Sequence, residues 1–177
     1  MRIRVLLFNG FLALLLLATG CGTTEERKRS KEISSMAIFL ESESRRDSGK
    51  TISVIRSAPM QLTVSPEPLL TDQSVLGATV EDQLNSFVIR VRLDRQSSWL
   101  LERATVTHRG RHYAVYASFG EDRWLAAPVI STKNSTGNIV FTPDCTREEA
   151  ERFVRGLNNK IRKAQKKENW PFEPMER

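Results

Sequence analysis

The chain has 177 residues, of which 40% are hydrophobic and 27% charged, with a formal net charge of +6. That is ordinary globular composition, so a collagen-like, low-complexity or wholly disordered chain is excluded, and the length suits one domain with appendages. Two cysteines and two histidines exclude a disulfide-dense scaffold and leave few ligands for a metal centre.

Arg2 and Arg4 precede an almost wholly apolar run from Val5 to Ala18, followed by the small residues Thr19 and Gly20. This pattern predicts a secretory leader over residues 1–20. The run falls short of the ~20 residues a spanning helix needs, so it reads as a cleaved leader rather than a retained anchor. Ala18-Thr19-Gly20-Cys21 resembles the lipobox of bacterial lipoproteins, although Leu17 stands one place before that motif's usual leucine position. The resemblance implies that the Cys21 thiol takes a diacylglyceryl group and becomes the new N-terminus. Two or more acyl chains anchor stably where one does not. Gly22 after the cysteine then implies the outer membrane of the cell envelope, facing the periplasm. With Cys21 acylated, Cys145 has no disulfide partner.

Residues 21–34, with Glu25-Glu26-Arg27-Lys28-Arg29, are expected to form a flexible, solvated tether. Residues 35–167 read as the folded domain. Alternation predicts strands at Ser35–Ser44, Thr51–Ile55 and Met60–Val64, the last placed at an edge by Pro59 and Pro66. Thr71 to Val75 reads as a single capped turn. Gly77–Glu81 and Ser86–Leu93 follow as a strand pair in which Arg90 and Arg92 mark the wet face. Ser97-Ser98 offer N-caps for a helix to about Thr107, ended by Gly110. His112–Phe119 and Trp124–Ile130 read as a hairpin through Gly120. A second turn at Lys133–Gly137 leads into Asn138–Phe141.

The closing helix carries the strongest signals. Thr146 and Glu149 have capping-box spacing, acids crowd its start, and Lys160, Arg162, Lys163, Lys166 and Lys167 crowd its end. Ala150, Phe153, Val154, Leu157, Ile161 and Ala164 recur on one face, expected to cover the last two strands. Trp170-Pro171-Phe172 begins a tail that cannot continue the helix. Strands and helices without βα alternation argue an α+β sandwich, its mainly antiparallel sheet packed on one face by two helices.

No P-loop, nucleophile elbow or dinucleotide fingerprint occurs, and the carboxylates are scattered, so no catalytic role is expected. His108 and His112 are four apart, but Gly110 lies between them and no third ligand stands near, so neither metal nor cofactor is expected. Cys145 beside a helix start reads as a small residue near a cap, since no base or resolving cysteine adjoins it. The basic segment His108-Arg109-Gly110-Arg111-His112 and the basic helix end suit anionic lipid or cell-wall material better than nucleic acid, given the export leader.

From about Pro59 to Asn159 the chain resembles the head of the first periplasmic domain of SecD and SecDF. The resemblance is carried in order by Gly77-Ala78-Thr79-Val80, Phe87 to Leu93, Leu101 to Thr105, Gly110-Arg111-His112-Tyr113, Ala127-Pro128-Val129-Ile130, Gly137, and Phe141-Thr142 leading to Glu148-Glu149-Ala150. It implies a ferredoxin-like α+β fold and a non-enzymatic role contacting protein outside the inner membrane. The expected binding surface is an exposed face of Arg123 and Trp124 with the Arg109 and Arg111 loop. A structural alternative has the basic helix end tether membrane to cell wall.

Overall fold

The computed structural model describes residues 24–42 and 49–168. The leader, the lipidation residue Cys21 and the Trp170 tail lie outside the described residues. The chain divides into two units, Met1–Lys31 and Glu32–Arg177. In the first, Thr24–Lys31 forms helix α1, with every residue exposed. This corrects the expectation of a coil. Glu25 and Glu26 sit at the positive end and Lys28, Arg29 and Lys31 at the negative end, and Lys28 pairs with Glu25 at 3.3 Å.

The second unit is the expected α+β sandwich, with its strands divided among three antiparallel sheets. Its elements are β1 (Ser35–Leu40), β2 (Lys50–Val54), β3 (Met60–Val64), β4 (Leu70–Thr71), a 3-10 turn (Asp72–Ser74), β5 (Val75–Gln83) and β6 (Ser86–Leu93). They continue with α2 (Arg95–Thr107), β7 (Tyr113–Ser118), β8 (Asp122–Ala126), β9 (Asn138–Phe141) and α3 (Arg147–Glu168). A four-stranded sheet runs β4-β1-β7-β8, β5-β6-β9 make a second, and β2-β3 form a separate hairpin.

The sheet assignment of β8 and β9 departs from the sequence pattern. They are not a hairpin: β8 pairs with β7, Ala117 opposite Arg123, while β9 pairs with β6, Val91 opposite Ile139. The connection between them therefore crosses from one sheet to the other. Asn134 pins it by donating its side chain to Asn138 O at 2.7 Å and its backbone N–H to Thr105 Oγ1 at 3.0 Å. Gly137 takes φ +68°, a left-handed conformation that glycine adopts without strain.

The main core lies among the two larger sheets and the helices. Ile38, Val115 and Leu125 meet Ile89, Val91 and Phe141, and α2 adds Leu101. From α3 come Ala150, Phe153, Val154 and Leu157, the face that periodicity predicted. Against expectation, α3 lies chiefly on β5 rather than on β8 and β9. Asn158 explains part of that seat. Its amide accepts from Ala78 N at 3.0 Å and donates to Ala78 O at 2.9 Å, so a helix side chain takes the place of the missing strand at this sheet edge.

A second core forms on the other face of the four-stranded sheet. Ile52, Val54, Leu62 and Val64 of the β2–β3 hairpin bury Ala114, with Phe39, Trp124 and Ala127 packed around them.

Candidate functional site

The four residues expected to form one binding face fall into two separate places. Arg123 and Trp124 lie on β8, which pairs with the far end of β7, whereas Arg109 and Arg111 precede the near end. Ala117 is six positions on from Arg111, about 20 Å along a strand.

The Arg123 side chain is only 9% exposed, which corrects its expected place on an open face. Its guanidinium pairs with Glu121 at 3.0 Å and Glu149 at 3.0 Å and sits over the Phe119 ring, while its Nε has no hydrogen-bond partner among the described residues. Glu149 also completes the expected capping box. It accepts from Thr146 N at 2.8 Å, and Glu149 N donates to Thr146 Oγ1 at 3.3 Å. The Thr146 N–H and Arg123 together hold the Glu149 carboxyl below its usual range. Next to it, Asp144 accepts from the backbone N–H of Arg56 and from Ser57 Oγ at 2.8 Å, tying the β2–β3 loop to the start of α3. Burial acts to raise the Asp144 carboxyl, but these donors outweigh it and lower it. Arg123 is thus the centre of a polar joint between β8 and α3.

Trp124 is half-buried in the second core, edge-on to Phe39 at 5.3 Å and to Tyr116 at 5.2 Å. It cements the hairpin to the sheet.

Cys145 borders the same joint. Burial pushes its thiol up to about 11, although Arg123 acts in the opposite direction. At pH 8 only about one molecule in a thousand would carry thiolate, against about a quarter for an ordinary cysteine. Because a thiolate of higher pKa is also the better nucleophile, native protein is expected to react with iodoacetamide at least about 10-fold more slowly than urea-unfolded protein, measured by mass shift over time. Equal rates would show that the thiol is open.

The histidines are turned to different partners. His108 Nδ1 donates to Ala104 O at 3.1 Å at the end of α2, while His112 Nδ1 donates to Glu41 at 2.8 Å. Arg109 is exposed and donates Nε to Ser131 O at 3.0 Å; Arg111 is half-buried.

The surface with binding geometry lies instead on the outer side of α2. Asp94, rather than the expected Ser97 or Ser98, caps this helix by accepting from Ser97 N at 2.7 Å, so the helix starts earlier. Leu101, Ala104 and Thr105 face inward. Trp99 and Val106, seven residues apart and so on one row, are both 59% exposed, and Leu100 beside them is 42% exposed. Arg95 stacks over the Trp99 ring at 5.1 Å.

This stripe forms one wall of a furrow. Trp99, Leu100 and Arg103 stand across from Thr71, Gln73 and Ser74, around a hollow of about 590 Å³. Thr71 and Gln73 also line an adjoining hollow of about 640 Å³ that runs past Leu76 to Ile161 and Ala164 of α3. Trp99 and Arg103 continue it the other way, to Val106 and Thr107. The two larger hollows are each the size of a ligand cleft, yet they lie end to end and open to solvent. The signal for this surface was present in the sequence. A helical wheel of residues 95–107 shows two apolar stripes, Leu101 with Ala104 and Trp99 with Val106, and only one can face the core.

Among the described residues, no helix is long and apolar enough to cross a membrane. No protein-family model matches the chain, and no curated protein is similar to it. Among solved structures, it is similar to a structure of SecDF, described as a membrane component that enhances protein export. The TM-score is 0.53 and the identity 16%, over 80% of this chain and 70% of that one. It is also similar to SecDF in a super-membrane-facing form, with TM-score 0.55 and 16% identity over 77% of this chain. Here it spans only 21% of the other chain's length. At this identity the likeness is one of fold. The SecD-like architecture anticipated from the order of short motifs is therefore present.

Proposed function

We propose that the chain is a lipid-anchored, non-catalytic protein of the bacterial cell envelope, facing the periplasm from the outer membrane, that holds an extended stretch of polypeptide in service of protein export. The observation that carries this reading is the furrow along α2. Large apolar side chains left in water on one helix row mark interaction sites, and Trp is the residue type most enriched among binding hot spots. An open trough lined by apolar side chains such as Trp99 and Leu76, by Thr71, Gln73 and Ser74, and by charged groups such as Asp94, Arg103 and Lys160 suits a chain with both side chains and backbone polar groups to place. It suits an enclosed small molecule poorly. The fold likeness to SecDF, which is described as enhancing protein export, supports a polypeptide as the occupant. Cys21 supplies the anchor in this reading.

Affinity purification from solubilised envelopes is expected to recover a polypeptide with the native chain. Trp99→Ala combined with Val106→Ala should weaken that association about 10- to 100-fold, the range for losing a hot-spot pair. Both side chains are exposed, so melting should shift by less than about 2 °C. Unchanged recovery with the double variant would remove the furrow from the account. For the anchor, fatty-acid labelling should disappear in Cys21→Ala.

A further inference from the structure

Several cations of the folded unit are paired with carboxylates, on α3 and on the strands beside it. Arg90 meets Glu81 at 2.6 Å, Arg155 meets Glu32 at 2.7 Å, Lys160 meets Asp72 at 2.7 Å, and Arg147 pairs with Asp82 and Glu151. Beyond Lys160 the pattern stops. Arg162, Lys163, Lys166 and Lys167 are exposed, and none makes an ion pair or hydrogen bond among the described residues. No acidic residue occurs between Glu151 and Glu168. The fully buried face of α3 ends at Leu157, with Ile161 partly buried, so this cluster rides on a helix end that contributes little to the core.

Helical geometry gathers the four charges. At 100° per residue they fall within an arc of about 140°, roughly opposite Leu157 and Ile161, and therefore face away from the domain. The helix dipole offers only about half a negative charge at this end, too little to offset four cations.

We propose that this end of α3 docks on an anionic phospholipid surface. Four to eight Lys or Arg in a cluster is the range that binds such surfaces. Three of the four are lysines, which act as mobile point charges suited to a fluid array of headgroups rather than to one fixed bidentate site. The inference does not depend on the furrow, which involves other residues of α3.

The test is residue-resolved and needs no variant that could misfold. The full chain is reconstituted into phosphatidylcholine vesicles, with or without about 30% phosphatidylglycerol, and lysine acetylation is followed by mass spectrometry. Exposed Lys50 of β2 serves as the internal reference. Each cation near an anionic surface raises partition about fivefold, so acetylation of Lys163, Lys166 and Lys167 should slow about fivefold or more relative to Lys50 on the anionic vesicles. The protection should vanish at about 0.5 M salt and be absent on pure phosphatidylcholine. Equal rates on both vesicles would overturn the proposal. So would protection by isolated peptidoglycan but not by anionic lipid, which would assign the helix end to the cell wall.

Discussion

Replacing Arg123 by methionine is expected to lower the melting temperature by about 3 to 12 °C. Arg123 is buried but its partners Glu121 and Glu149 are partly exposed, so losing these charge-assisted bonds costs about 1.5 to 3 kcal/mol, and a domain of this size loses roughly 2 to 4 °C per kcal/mol. Glu121 and Glu149 would be left without their shared cation, and Phe119 without the cation over its ring. Arg109→Met, at an exposed position, should change melting by less than about 2 °C. The pH dependence carries a second signature. Glu149 has a lowered pKa in the folded state, so the stability it contributes is present above its unfolded pKa and is lost as pH falls through the folded one. Without Arg123 that lowering shrinks, and melting temperature should fall less steeply as pH drops from about 5 to about 3. A variant that melts like the native chain would show that the joint contributes no stability.

Trp124→Ala should cost about 3 kcal/mol, the lower end for deleting a large aromatic, since the ring is half-buried. The effect should be local as well as global. The ring touches Phe39 and Tyr116 on the sheet and packs against the cluster of Ile52, Val54, Leu62 and Val64 in the hairpin. The hairpin's own pairing is a single two-stranded ladder, which is marginal without something to cover. Amide exchange in β2 and β3 should therefore quicken about 100-fold through local opening, while β6 and β7 quicken only as far as global stability falls. Unchanged protection in β2 and β3 would mean that the hairpin is held by other contacts.

Local signals in the sequence proved more reliable than the assignment of strands to sheets. Alternation located β3, β6 and β7 closely, and the Thr146–Glu149 spacing became the hydrogen-bonded capping box at the start of α3. These features depend on residues near one another in the chain. The separation of β8 from β9 depends on Asn134 reaching Thr105 and on Asp144 N donating to Leu125 O, contacts that no periodicity encodes. Arg123 misled for a related reason. A strand-end arginine reads as solvated until a helix begun 24 residues later brings Glu149 to it. In α2 the Trp99–Val106 row and the Leu101–Ala104 row are both apolar, and which of them faces the core is fixed by neighbouring elements rather than by the helix's own sequence.

Photo-cross-linking tests most directly whether a polypeptide lies along α2. A benzophenone side chain placed at Val106, on the furrow, can be compared with one at Val129, which is similarly exposed at 55% but lies outside the furrow. Irradiation of intact cells should give polypeptide adducts at position 106 and few or none at 129. Adducts of equal yield at both positions, or none at 106, would contradict the account.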